Sequence, residues 1–234
     1  MGDRKGLRYG MVGGGIGAFI GAVHRRAIAL EETADLVAGC FSSRKEKNQE
    51  TGDFYGIAAD RLYASYEEMA RAESTREDGI DFVSIVTPNA MHYEVAKAFL
   101  EAGIHVACEK PLCFTVEQGE ELERIAKEKH LMFAVTYTYT GYAMVKLARE
   151  LVAAGEIGNI VNINAEYLQD WLIDEIGGGN QTTTKMSVWR TDPAKSGISN
   201  CVGDIGTHIE DTVAYITGLH PKKVAAVLDN YGMD

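Results

Sequence analysis

No run in this chain approaches the ~18–20 consecutive apolar residues that a bilayer-spanning helix requires, so no membrane partner is expected. The opening MGDRKGLRYG has no apolar core, which argues against a signal peptide. Positive charge is scarce: 23 Lys and Arg stand against 34 Asp and Glu, for a net charge of −11. A phosphate-backbone partner needs concentrated cations, so nucleic acid is not expected either. Cysteine is thin as well. Cys40, Cys108, Cys113 and Cys201 form no C-x-x-C, and three of them stand in apolar surroundings, the pattern of buried thiols in a reducing compartment. No His/Cys set has usable ligand spacing, so no metal is expected. Internal repeats and low-complexity segments are lacking too, and these exclusions together point to the cytoplasm.

What is present is an ordinary globular composition, 46% hydrophobic and 24% charged, in 234 residues, enough for one large domain or two modest ones. The most informative stretch is LRYGMVGGGIGAFIGAVHRR, residues 7–26. A short run with the look of a buried strand turns through Gly13, Gly14, Gly15 and Gly17, then continues with Phe19, Ile20 and Val23 at helical spacing. Gly13-x-Gly15-x-x-Ala18 fits the dinucleotide fingerprint G-x-G-x-x-G/A between strand and helix. The first glycine permits a tight turn, and the second lets backbone approach a pyrophosphate. The small third residue allows close helix–strand packing, and the phosphates meet the positive end of the helix dipole. On this reading Gly15→Val abolishes dinucleotide binding and leaves the fold largely intact.

Further strands are expected at 35–41, 61–64, 80–86, 104–108 and 131–135, separated by helices. Three capping boxes mark helix starts: Ser43 with Glu46, Ser65 with Glu68, and Thr115 with Gln118. Asn89 is expected to cap the helix that carries Val95, Ala96, Phe99 and Leu100. Strands alternating with helices imply a doubly wound parallel sheet, here over residues 1–136. From 137 to 234 the character changes. A helix carries Met144, Leu147, Leu151 and Val152 on one face. Val161, Ile163, Ala165 and Tyr167 then alternate with polar residues, as in a strand with one buried face. Residues 177–184 read as a loop, 203–217 as a helix and 222–228 as a strand. Two strands are too few for a stable one-faced sheet, so the chain is expected to stop inside its second domain.

Ligands of open parallel sheets lie at the carboxyl ends of the strands. Thr87-Pro88-Asn89 and Glu109-Lys110-Pro111 fall there, with Lys110 able to reach into the crevice or to remain a solvated loop charge. Asp204 and His208, spaced i, i+4, share a helix face as a poised acid/base, or are a dipole-favoured aspartate and a partly exposed histidine. His24, His105, His130 and His220 have no partner legible in sequence and are read as ordinary histidines.

GGGIGAFIGAVHRRA, TPNAMH, CEKPL, WRTDPAKSG and GDIGTH, in this order over almost the whole chain, resemble the glucose–fructose oxidoreductase/inositol dehydrogenase (Gfo/Idh/MocA) family. The resemblance implies an α/β fold: a Rossmann-type doubly wound domain, then an α+β substrate and oligomerisation domain with an open-faced, mostly antiparallel sheet, incomplete here. It implies an NAD(P)-dependent oxidoreductase acting on a hydroxyl or ketone of a sugar, inositol or related polyol, with Lys110, Asp204 and His208 catalytic. It also implies a cis Lys110–Pro111 bond. Cofactor contacts are expected at Gly13, Gly15, Ile16, Gly17, Ser42, Ser43, Arg44, Thr87, Pro88, Asn89, His92, Glu109 and Lys110. Substrate contacts are expected at Lys110, Tyr142, Trp189, Arg190, Lys195, Asp204 and His208. Homodimers or tetramers formed through the C-terminal sheet are implied for the longer form. Thr138 stands where close relatives carry Asn, and ISNCV replaces the usual glycine run before Gly203. Two rival functions share these motifs: an NAD-recycling glycosidase-type enzyme and a non-catalytic dinucleotide-binding protein.

After the second strand an NAD enzyme usually places an acid for the ribose 2′-OH. This chain reads Cys-Phe-Ser-Ser-Arg at 40–44, with no carboxylate before Glu46. Ser42, Ser43 and Arg44 suit a 2′-phosphate, although Ser43 is already read as a cap. NADP or dual use is therefore the expectation over NAD alone.

Overall fold

The computed structural model describes residues 6–169, 192–197 and 201–229, which fall into two compact units, 1–136 and 137–234. In the first unit, apolar runs bounded by glycines and acids form β1 (Leu7–Gly13), β2 (Ala34–Cys40), β3 (Phe82–Val86), β4 (His105–Cys108) and β5 (Phe133–Val135). They pair in the order β2-β1-β3-β4-β5, all parallel. Helices α1 (Phe19–Leu30), α2 (Lys45–Tyr55), α3 (Tyr66–Glu73), α4 (His92–Glu101) and α5 (Val116–Glu128) connect them. One face of the sheet packs Met69, Val83, Ile85, Val95, Phe99, Leu100 and Leu122 into a water-free layer. The other buries Tyr9, Met11, Phe41 and Val86 with Ile20 and Ile28 beside them. Burial on both faces is what continuous apolar strands require.

The sheet has five strands where the sequence suggests six. Residues 61–64 add only an isolated bridge between Gly39 and Leu62, after a tight turn over Ala59–Arg61. Arg61 and Tyr63 are held by side chain instead. The Arg61 guanidinium forks onto the buried Glu73 carboxylate, through Nε at 3.0 Å and through its second nitrogen, and the Tyr63 hydroxyl donates to Glu73 at 2.7 Å. The Ile80 amide donates to the same carboxylate at 3.2 Å. Every oxygen of this buried acid is satisfied, and burial with the Glu73 contact raises the Tyr63 phenol well above its ordinary value.

The capping boxes fare unequally. Thr115 and Gln118 form one in both directions. Ser65 accepts from the Glu68 amide, but the Glu68 carboxylate takes the Ala64 amide instead of Ser65's. The Ser43 box is absent: α2 starts after Arg44, with no side-chain cap. Asn89 does not cap α4; it opens a tight turn over Asn89–Met91 that leads into the helix.

In the second unit, α6 (Ala143–Ala153) follows a tight turn at Thr138–Gly141, and a π-helical turn over Val202–Gly206 runs into α7 (Thr207–Thr217). Residues 161–167 and 222–228 form no strand, and Val161, Val224 and Val227 are exposed. A strand exists only by pairing, and among the described residues nothing pairs with either segment. The loop expected at 177–184 lies outside the described residues. Of the cysteines, Cys40 and Cys108 are buried, Cys113 is half-buried and Cys201 is exposed, all as free thiols. No helix among the described residues is long and apolar enough to cross a membrane, and no group of three metal-ligating side chains occurs among them.

Candidate active site

The chain leaves β1 for β2 on one side and returns to β3 on the other, so the topological switch point lies between β1 and β3. The glycine turn sits there. Gly13 has φ +83°, and a Cβ on it would stand 2.7 Å from the Val86 carbonyl oxygen. Close helix–strand packing, expected of Ala18, is carried by another pair: a Cβ at Gly21 would lie 2.5 Å from the Gly14 Cα. Ala18 is the N-cap of α1, without a side-chain cap or an acid in the first turn, so among the described residues no cap side chain or first-turn acid competes with an anion there.

Gly15 is buried, and a Cβ on it would meet Lys47 Cε, the Phe41 carbonyl oxygen and Thr51 Oγ1, each at 3.3 Å. A valine at Gly15 would therefore press on Lys47 and Thr51 of α2 and on the Phe41 carbonyl, each of which must give by a few tenths of an ångström. Ile16 donates its amide to Thr51 Oγ1 at 3.3 Å, and Gly17 is exposed. Thr51 returns its own proton to the Lys47 carbonyl at 2.7 Å, tying the glycine turn to α2.

The loop after β2 hangs from Asn48. Its Oδ1 accepts from the amides of Phe41 at 2.8 Å and Ser42 at 3.3 Å, while its Nδ2 donates to the Tyr63 carbonyl at 2.9 Å. Ser42 Oγ accepts from the Arg44 amide, and Ser43 and Arg44 are exposed. Arg44, Glu46, Lys47 and Glu50 line a cleft of about 390 Å³. Two cations and two carboxylates thus line the cleft beside the loop that follows β2.

At the end of β3, Thr87 Oγ1 is buried without a hydrogen-bond partner, one residue past the carbonyl that crowds Gly13. Pro88 is exposed and Asn89 buried. His92, expected to touch cofactor, is fully buried. Its Nδ1 lies 2.7 Å from the Pro111 carbonyl and its Nε2 3.0 Å from the Thr87 carbonyl, so the ring sits between the two loops and, when neutral, donates its one N–H to one of them. Burial pushes its imidazole below the ordinary value. The Lys110–Pro111 peptide is cis.

Glu109 is only 7% exposed, and its Oε2 accepts from the Lys110 amide at 3.1 Å. His24 is not the partnerless histidine expected: it is buried, with Nε2 on Glu109 Oε1 at 2.9 Å and Nδ1 on Ser84 Oγ at 2.9 Å. Burial alone would raise the Glu109 carboxyl, but His24, Thr136 and Lys110 together hold it below the usual range.

In the second unit, His208 stands in the first turn of α7 and is 6% exposed. Asp204 lies in the preceding π-helical turn, a distortion found at functional sites. The His208 ring lies 4.4 Å from the Tyr139 ring and 5.8 Å from Tyr137, edge-on. Tyr139 stacks on Tyr167 and shares a hydroxyl contact with it. Burial and that hydroxyl push the Tyr139 phenol up to about 12. Tyr142, half exposed, has its ring 5.8 Å from Tyr139. Lys195 is exposed and paired with Asp192, while Trp189 and Arg190 lie outside the described residues.

The sequence pattern of the oxidoreductase family with an NAD-binding Rossmann fold (GFO_IDH_MocA) matches residues 7–137, and that of the GFO/IDH/MocA C-terminal domain matches 145–234. The chain belongs to this family. It is similar to the uncharacterized oxidoreductase YfiI of Bacillus subtilis, 40% identical over 205 residues, which cover 87% of this chain and 51% of that one. It is also similar to levoglucosan dehydrogenase of Pseudarthrobacter phenanthrenivorans, 31% identical over 92% of this chain and 52% of that one. Among solved structures, an inositol dehydrogenase homolog complexed with NAD+ from Azotobacter vinelandii superposes with a TM-score of 0.84 at 37% identity, over 91% of this chain and 54% of that one. The chain spans about half the length of the curated relatives it matches.

The turn at Gly13, the uncapped start of α1 and the orphan hydroxyl of Thr87 fit a dinucleotide. Sequence reasoning missed Lys47, Asn48, Thr51 and His24 in the first unit and Tyr137, Tyr139 and Tyr167 in the second. Each acts through contacts that no local spacing announces.

Proposed function

We propose that this chain belongs to an NAD(P)-dependent dehydrogenase of a sugar, inositol or related polyol, with residues 1–136 holding the dinucleotide and 137–234 beginning the substrate and oligomerisation domain. The observation that carries the reading is His208, buried among tyrosines four residues after Asp204, in a chain whose family binds NAD. A buried imidazole in an aromatic setting is shielded from water and suits proton abstraction from a hydroxyl. Burial and the Tyr167 hydroxyl hold the Tyr139 phenol up, which makes it a poorer base than an imidazole.

In the oxidative direction His208 takes the hydroxyl proton on an imidazole nitrogen, and Asp204 orients substrate and ring. The Lys110 ammonium donates to the reacting oxygen and stabilises its developing negative charge. The nicotinamide, when bound, supplies the hydride acceptor. Gly13, Gly15 and Gly17 offer backbone to the pyrophosphate, with Ile16 beside them, its amide tied to Thr51. Thr87, Pro88, Asn89 and Glu109 border the nicotinamide end, and His92 acts there through the two loops it sits between. Tyr142 and Lys195 are assigned to the substrate side. Pairing as dimers or tetramers through a C-terminal sheet is part of the same reading. The mixed cleft at Arg44, Glu46, Lys47 and Glu50 favours use of both dinucleotides: carboxylates suit a 2′-hydroxyl and cations a 2′-phosphate.

A panel of sugars and inositols with NAD+ and with NADP+ tests the reading, followed by the absorbance of reduced nicotinamide. Accumulation in step with substrate oxidised supports it. Cleavage of a glycoside without accumulation points to the recycling chemistry, and tight dinucleotide binding without turnover to a non-catalytic role.

A further inference from the structure

Ser84, His24 and Glu109 form a connected buried chain, of which the proposed chemistry uses only the Glu109 end. His24 stands on α1, Ser84 inside β3 and Glu109 just past β4, and they meet across sequence separations of 60 and 85 residues. Serine, histidine and an acid are also the parts of a nucleophilic triad. That role is excluded here, since Ser84 is fully buried within the sheet and no substrate carbonyl can reach it.

The hydrogen bonding indicates another use. Glu109 Oε1 receives two donors, His24 Nε2 at 2.9 Å and Thr136 Oγ1 at 2.9 Å, while Oε2 receives the Lys110 amide at 3.1 Å. The tautomer that satisfies every atom has Ser84 donating to Nδ1 and Nε2–H donating to the carboxylate. A carboxylate anchored in this way cannot rotate, so the backbone atom from which the Lys110 side chain departs is fixed. The anchor comes from α1, the helix whose N-terminus faces the glycine turn.

We infer that His24 is a positioning residue: through Glu109 it fixes Lys110 relative to the dinucleotide helix, so that cofactor and lysine are placed by one rigid connection. This rests on the dehydrogenase reading above. Displacing a reacting group by about 1 Å can cost about 10²-fold in rate without weakening binding.

The test uses the whole chain with a polyol the wild type turns over. His24→Ala is expected to lose about 10²-fold in kcat while dinucleotide Kd, read by nicotinamide fluorescence, stays unchanged. His24→Gln keeps an N–H for Glu109 and is expected to recover most of the rate. Thr136→Val, which removes the other Oε1 donor, gives a smaller loss of the same kind and serves if His24→Ala does not fold. An arm without turnover follows acetylation of Lys110 by acetic anhydride in the dinucleotide-bound protein, with exposed Lys45 as internal reference. Its rate should change in His24→Ala at Lys110 alone. If the wild type oxidises no polyol, the dehydrogenase reading fails, and this arm still reads His24. Unchanged kcat and unchanged Lys110 acetylation in His24→Ala overturn the inference, as does a loss carried entirely by dinucleotide Kd.

Discussion

The two units of this chain obey the same hydrophobic rule and reach different ends. In the first, apolar strands such as Phe82–Val86 are covered on both faces by helices that the same stretch of sequence supplies. In the second, Met144, Leu147 and Leu151 on α6 and Val224, Val227 and Leu228 further on are exposed. A βαβ segment brings its own cover, because each crossover helix packs on the strands it joins. A segment with one apolar face depends on a separate layer, and nothing in its own pattern says where that layer is. The lesson is that burial was predictable where the covering element is adjacent in sequence and unpredictable where it is not.

The largest effects should separate the units by function. Lys110→Ala in the first and His208→Ala in the second are each expected to lower kcat by about 10²–10⁴-fold with little change in dinucleotide affinity. If either loss appears in binding alone, that residue belongs to the cofactor site and the division of labour is redrawn. Stability sharpens the same contrast. Glu73→Ala strands the buried Arg61 guanidinium and should cost about 3–5 kcal/mol, measured by urea unfolding. Leu151→Ala on the open face of α6 should stay within about 0.5 kcal/mol. A core-sized cost at Leu151 would mean that α6 is covered in solution.

Smaller effects probe the dinucleotide cleft. Arg44→Ala and Lys47→Ala should each reduce kcat/KM with NADP about tenfold relative to NAD, the worth of one charge-assisted hydrogen bond. Glu46→Gln should shift preference the other way. Equal kinetics in all three variants would remove this cleft from cofactor choice. The smallest expected effect is one of pH. Glu109 is held below its unfolded value of about 4.3, so its contribution to stability is complete above that pH and is lost as pH falls through the lower folded value. Thermal unfolding of wild type and Glu109→Gln should converge as the solution is acidified through that range; curves that stay parallel would show the carboxylate contributes nothing.

What could be read from the chain follows the same division. The glycine turn, the order of strands and helices and the Thr115 cap are local patterns, and they appear in the structure. The strand expected at 61–64 does not, because a lone apolar run carries no sign that Arg61 will be claimed by Glu73 twelve residues on. His24 and Glu109 lie 85 residues apart, and no periodicity links them. The alternation at 161–167 predicts a strand that does not form, because a strand also needs a neighbour and pattern alone cannot supply one. Of the candidate site, the motif residues were legible because their spacing is short. The tyrosines around His208 were not, since they come from segments some 70 and 40 residues earlier in the chain.

The Asn48 anchor bears on how such a protein can change over generations. Its side chain grips the loop after β2 by the amides of Phe41 and Ser42, and ties it to the segment after α2 through the Tyr63 carbonyl. Ser43 and Arg44 are therefore free to mutate while the path of the backbone stays put, and Ser42 gives up only its bond to the Arg44 amide. A lineage could trade one dinucleotide for the other by single substitutions on a fixed perch, without passing through unfolded intermediates. For the protein engineer, Asn48 is the residue to leave alone and its three neighbours are the library.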